Sequence, residues 1–248
     1  MIDHEHGVRE PAPRAIAEIT AEIGAPAPGS VPREKLDAEQ RQVKDLVLHM
    51  GGLVEGQIRE AARALVQHSA DRAYAVMGRD REVNEMAREV TDLVAMTIAT
   101  QQPVARDLRS LLALDHVALE IERIGDHAAN VAKYAGRLAP LPELDGFLDV
   151  PAMAELAASG LCAVLGALVD TDTVQAREVA AGDDEIDRLY HRTFAKTLGL
   201  MQADPSNVDS GAALLVAAHE VERVGDRVTN IAEDIVFLAT GEVEDLNP

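Results

Sequence analysis

The sequence predicts an all-α protein: two tandem three-helix bundles, six helices in all, related by internal duplication and preceded by an N-terminal extension. Three observations lead there. First, 47% of the 248 residues are hydrophobic but only 2% are aromatic and none is Trp, a mixture that favours helices packed through small and aliphatic side chains. Second, apolar residues recur at spacings of three and four, and no stretch sustains the alternation of a strand. Third, one polar string occurs twice. Glu120-Ile121-Glu122-Arg123-Ile124-Gly125-Asp126, followed by Asn130, is matched 100 residues later by Glu220-Val221-Glu222-Arg223-Val224-Gly225-Asp226, followed by Asn230. Six identities at one offset mark a duplication.

The elements follow in order. Residues 1–32 hold five of the eleven prolines and cannot build a core; they read as a mobile extension with room for a short helix over Ala15 to Glu22. His4 and His6 in this stretch read as a solvated tail. The first unit, 33–140, opens with a helix from near Leu36 to His68, its stripe running Val43, Leu46, Val47, Met50, Val54, Ile58, Ala61, Ala62 and Leu65. Gly51, Gly52 and Gly56 weaken it but allow close helix contact. The second helix runs from about Asp71 to Gln101 on the stripe Tyr74, Met77, Val83, Met86, Val90, Leu93, Val94, Thr97, Ile98, and Pro103 stops it. The third, from about Val104 to Leu138, carries the first copy of the string. Pro140, Pro142, Gly146 and Pro151 make a linker over 141–151. The second unit, 152–243, repeats the plan with helices over about 152–170, 173–202 and 206–240. Asp172 with Gln175 and Asp204 with Pro205 are the start signals, and Gly241 is the stop.

Charge and cysteine usage narrow the function. A formal net charge of −20 repels phosphate backbones, so nucleic acid is excluded as a partner, while cations and basic protein patches suit such a surface. A single cysteine, Cys162, rules out an internal disulfide framework and fits a reducing compartment; its apolar run, Leu161 to Leu165, makes it a small core residue. The first residues lack a signal peptide's basic start and apolar core, and no run of roughly 18 to 20 apolar residues is evident. The expectation is a cytoplasmic protein.

The repeated string places chemistry on a helix. Glu122 and Asp126, four residues apart, lie about 40° apart around the axis and one turn apart along it, so both carboxylates point the same way. Like charges at this spacing repel. Arg123 and Arg223 point about 100° away from their Glu, so a cation is the sharper explanation. Heights across the turn give each pair a partner. With the loop at 102, Glu122 and Asp126 lie 20 and 24 residues after it, and Asp80 and Asn84 lie 22 and 18 before it. With the loop at 204, Glu222 and Asp226 lie 18 and 22 after, and Asp187 and Asp183 lie 17 and 21 before. Each unit therefore gathers four oxygen-bearing side chains between its second and third helices, which is how helical bundles build metal sites. Such ligands suit hard cations, Mg, Mn or Ca, and also Fe. Asn84 lowers the ligand charge of the first site, and His219, one turn before Glu222, offers a nitrogen to the second. Glu120 and Glu220 are expected in salt bridges or partner contacts, His116 and His127 in surface or packing roles. No Walker-type loop or activated thiol is present, and the Glu-x-x-His pairs of di-iron bundles do not occur on these helices.

Gln101-Gln102-Pro103-Val104-Ala105-Arg106-Asp107-Leu108-Arg109, together with both copies of the string and Asn230-Ile231-Ala232-Glu233, resembles the PhoU family over about residues 36–243. The resemblance implies two PhoU repeats and metal clusters, Fe or Zn, held by paired acidic motifs. These map onto Asp80 to Asn84, Glu122 to Asp126, Asp183 to Asp187 and Glu222 to Asp226, with Asn84 departing from the acidic pattern. It further implies a non-enzymatic negative regulator of phosphate uptake and phosphate-starvation signalling. Its partners would be the ATPase subunit of a phosphate ABC transporter and the sensor histidine kinase of a two-component system. Such a protein self-associates, commonly as a dimer, and is peripheral to the membrane only through its partners. Two alternatives stand beside it: a carboxylate-bridged metal oxidase or hydrolase, and a metal-free helical scaffold.

Overall fold

The computed structural model describes residues 33–142, 144 and 149–247; the expected helix over Ala15 to Glu22 and the two N-terminal histidines lie outside them. The first unit contains α1 (Arg33–Val66), α2 (Ala70–Met77), α3 (Asp80–Gln101) and α4 (Arg106–Leu138). The second contains α5 (Asp149–Asp170), α6 (Thr173–Ala181), α7 (Asp183–Ala203), a 3-10 turn (Pro205–Asn207) and α8 (Val208–Thr240). Among the described residues there is no strand. The three-helix plan of each unit holds, with the second helix broken in both: the stretches over 71–101 and 173–202 are each two helices. Gly78 and Gly182 sit at the breaks with αR backbones, where a residue without a side chain is poorly held in a helix.

The break explains why part of the expected stripe fails. Tyr74 is 70% exposed and Met77 38%, while Ala73 and Val76 take the core positions of α2. Beyond the break, Val83, Val90 and Val94 are buried as their spacing requires. The start and stop signals act as read at Asp172 and Gly241, while Asp204 caps the 3-10 turn ahead of α8 and not α8 itself, which begins at Val208. The Asp172 carboxylate accepts from the N–H groups of Val174 and Gln175 at 2.9 and 3.1 Å, Asp204 accepts from Ser206 N–H at 2.9 Å, and Gly241 closes α8 at φ 81°, which favours glycine. Two boundaries differ: α4 begins at Arg106, leaving Pro103 in the turn, and α5 begins at Asp149, inside the expected linker.

The three longest helices α1, α4 and α8 form a ring with α5, each of the four packing on two of the others, with the most extensive contact between α4 and α8. The broken helices α2–α3 and α6–α7 pack on its outside. One apolar cluster runs through both units; each fully buried Leu or Ile in it contributes about 1.5–3 kcal/mol against leaving it in water. Of the three glycines read as allowing close contact, Gly51 does so, since Leu165 of α5 fills the space its Cβ would take, while a Cβ at Gly52 or Gly56 would meet nothing within 4 Å. Cys162 does not bear out its reading: it is exposed, because Leu161, Val164, Leu165 and Leu168 take the core side of α5. By length and composition α5 is apolar enough to cross a membrane, which counting unbroken runs missed; half of that window is buried in the bundle.

Candidate metal centre

The expected heights are realised in both units. In the first, Asp80 and Asn84 of α3 meet Glu122 and Asp126 of α4. Asn84 Nδ2 donates to Asp80 Oδ2 at 3.2 Å. Burial pushes the Asp126 carboxyl up to about 6, helped by the charges of Glu122 and Asp80 and by a hydrogen bond to Asp80. In the second unit, Asp183 and Asp187 of α7 meet Glu222 and Asp226 of α8. Asp183 is pushed up to about 7, first by burial and then by Asp187, Asp226 and Glu222. Asp187 and Glu222 are also raised, each first by burial and then by Asp226. Burial and neighbouring negative charge thus raise Asp183, Asp187 and Glu222 together, a cost that a nearby positive charge would reduce.

The breaks before α3 and α7 belong to this site. Each ends immediately N-terminal to the site, so Asp80 and Asp183 are the first residues of their helices, where the helix dipole favours a carboxylate. Gly225 completes the second copy: Asp183 Oδ1 lies 2.1 Å from where its Cβ would stand. Gly125 has no such neighbour, its nearest contacts being Gln57, Val54 and Val83 at 3.5 Å.

The residues fit a cation in chemistry more fully than in present geometry. Asp183 is 4% exposed, and its Oδ1 and that of Asp187 are buried without a hydrogen-bond donor, a costly state that a cation would relieve. Among the described residues, however, no three His, Cys, Asp or Glu side chains converge as a finished cage. Other local groups meet three of the carboxylates instead. Arg223 Nη1 pairs with Asp226 Oδ2 at 2.5 Å, His219 Nδ1 with Glu222 Oε2 at 3.1 Å, and Asn247 Nδ2 donates to Asp183 Oδ2 at 2.9 Å. Arg223 thus does offset its own helix's acids, contrary to the reading from helix angles alone, because a long guanidinium reaches one turn along the axis. His219 sits beside Glu222 as its spacing placed it, with the Tyr190 ring 5.9 Å away.

The rest of the repeated string has a different job. Glu120 is fully buried and accepts from Asn230 Nδ2 at 3.1 Å and Arg227 Nη1 at 3.4 Å across the α4–α8 contact, as well as from Arg123. Glu220 accepts from Asn130 Nδ2 at 3.3 Å and faces His127 Nδ1 at 2.7 Å. Each copy's Glu is therefore met by the other copy's Asn. His116 lies at the surface as read, with Asp234 2.7 Å from its Nδ1, and the partly buried His127 packs against Glu220. The repeat of Glu and Asn signalled that these residues mattered; nothing in one copy alone showed that they reach into the other. Asn247 was missed entirely, because it lies beyond the last periodic residue and carries no pattern.

Comparison with known proteins agrees with this architecture. The PhoU domain model matches the chain twice, over residues 47–135 and 150–235. A Clostridium acetobutylicum protein described as a phosphate-specific transport system accessory protein PhoU homolog is 32% identical over 216 residues, covering 87% of this chain and 99% of the relative. The crystal structure of PhoU from Pseudomonas aeruginosa superposes with a TM-score of 0.79 at 31% identity, covering 83% of this chain and 99% of that one. The phosphate transport system regulatory protein PhoU from Streptococcus pneumoniae gives a TM-score of 0.79 at 27% identity, covering 85% and 99%.

Proposed function

The chain belongs to the PhoU family, and from that premise we propose that it is an accessory regulator of phosphate uptake that works by binding partners rather than by catalysis. The partners in this reading are the cytoplasmic ATPase subunit of a phosphate ABC transporter and the sensor histidine kinase of a phosphate two-component system. Contact with either restrains uptake and the starvation response, and the membrane is reached only through them. The description of the Clostridium acetobutylicum relative as a transport accessory protein supports this reading, as does the net charge of −20, which suits a basic protein patch and repels nucleic acid.

Metal binding is the second part of the proposal. The observation that carries it is the pair of buried, donor-less oxygens of Asp183 and Asp187 beside Glu222 and Asp226. Asp183, Asp187, Glu222 and Asp226 would hold the metal, with His219 at the edge, and Asp80, Asn84, Glu122 and Asp126 form a weaker counterpart. The metal supplies positive charge that fixes α7 against α8, and so the outer face those helices present to a partner. The test is co-purification of the tagged chain with the transporter ATPase subunit or the kinase from cells grown in high and low phosphate. Capture that depends on phosphate supply, and weakens in Asp187→Ala/Asp226→Ala, is expected; no capture of either partner under both conditions contradicts the reading.

A further inference from the structure

After Gly241 the chain does not run free. Residues 242–247 turn back over the second carboxylate site, held at three points. Arg177 Nη2 pairs with Glu244 Oε2 at 2.6 Å, Leu246 N–H donates to Glu233 Oε1 at 3.0 Å, and Asn247 Nδ2 donates to Asp183 Oδ2 at 2.9 Å. Between this strap and α8 lies a cleft lined by Arg223, Asp226, Asn230, Glu233, Asp245 and Asn247. The strap and the acidic site thus share a wall, and the strap's last described residue touches the most buried acid of the four.

The two units make the role of that contact legible. In the first, Asp80 receives an amide donor from its own helix, Asn84, four residues on. In the second, Asp187 stands where Asn84 would. The in-helix amide is gone, and a second charge has taken its place. Asp183 then receives its amide from the strap instead, at a similar distance. A strap amide differs from a helix amide in one respect: it can leave. Its ion pair at Arg177 and Glu244 leaves both side chains 41% and 45% exposed, and pairs this wet hold little.

We propose that residues 242–247 are a gate on the second carboxylate site: Asn247 occupies Asp183 while the site lacks a cation, and is displaced when one binds. The inference rests on the metal reading above. Asp183 Oδ1 is the oxygen left open and the amide holds Oδ2, so a divalent cation that takes the carboxylate through both oxygens must displace the amide, since both present positive charge to Oδ2. The gate satisfies Oδ2 of the most buried acid in the empty state, leaving Oδ1 without a donor, and it ties cation uptake to release of residues 242–247.

The test uses three forms: the full chain, the chain ended after Gly241, and Asn247→Ala. Each is titrated with Zn(II) and with Fe(II) against a competing chelator, with thermal melting to confirm that each is folded. Hydrogen exchange at 242–247 is followed in the full chain with and without Zn(II). Removing one charge-assisted hydrogen bond that must break on loading is expected to tighten binding roughly tenfold in both variants, and Zn(II) is expected to speed exchange of the strap. Equal or weaker binding in the variants, or a strap protected by Zn(II), overturns the gate and leaves the metal reading standing. Failure of all three forms to bind either metal overturns the metal reading and the gate with it.

Discussion

Asp234 is a single residue whose charge state the structure makes measurable. Burial pushes its carboxyl up from 3.8 to about 6, against the opposing pull of His116 at 2.7 Å. A raised acid stabilises the fold fully below its unfolded value and loses that contribution as pH rises through its folded value. Stability should therefore fall between about pH 4 and pH 7 by on the order of 2 kcal/mol from this group. Asp234→Asn cannot ionise and should flatten that part of the urea-denaturation profile, ending more stable than the parent at pH 8; parallel profiles would exclude the assignment. At this scale the sequence showed residue types and spacing, and it showed them well for Glu122, Asp126, Glu222 and Asp226. It could not show Asp234 facing His116, because that pair joins different repeats and follows no period. Glu120 and Glu220 were visible as a repeated anomaly, and only the packing of α4 on α8 turned them into a crossed pair of clamps.

The elements are where the two halves part company. Both second helices break before an acidic first residue, but only the second break presses a carboxylate onto a glycine. Asp183 Oδ1 leaves no room for a Cβ at Gly225, whereas Gly125 meets only ordinary contacts. Gly225→Ala should destabilise the protein by about 1–3 kcal/mol through overpacking, while Gly125→Ala should be neutral or stabilise by up to about 1 kcal/mol through helix propensity. Thermal melting of the two variants side by side decides the matter, and equal losses would contradict the asymmetry. The long helices were legible because 3.6-residue periodicity survives over 33 or 34 residues, as in α1, α4 and α8. The breaks were not, because Gly78 and Gly182 interrupt the periodicity for only one or two residues and the stripe resumes. The cost of missing them was the misplacing of Tyr74 and Met77.

Over the whole molecule, the duplication has produced a ring of four helices, α1, α4, α5 and α8, with an acidic site on each flank, and the flanks differ. The first has an amide within its own helix, Asn84 on Asp80; the second has four acids, a buried Asp183 and a strap formed by residues 242–247. The fold class, the duplication and the pairing of α3 with α4 and of α7 with α8 all followed from composition, periodicity and heights across a turn. The ring itself did not, since which unit face meets which is decided by side-chain fit and not by period. The central claim is that the second site is the stronger metal site. It is tested most directly by metal content per chain after chelator-free purification and dialysis against limiting metal, comparing the parent with Asp80→Ala/Asp126→Ala and with Asp187→Ala/Asp226→Ala. The account predicts that the first pair of substitutions leaves most of the bound metal in place and the second removes most of it. Equal metal content in all three proteins, or a greater loss from the first pair, would contradict it.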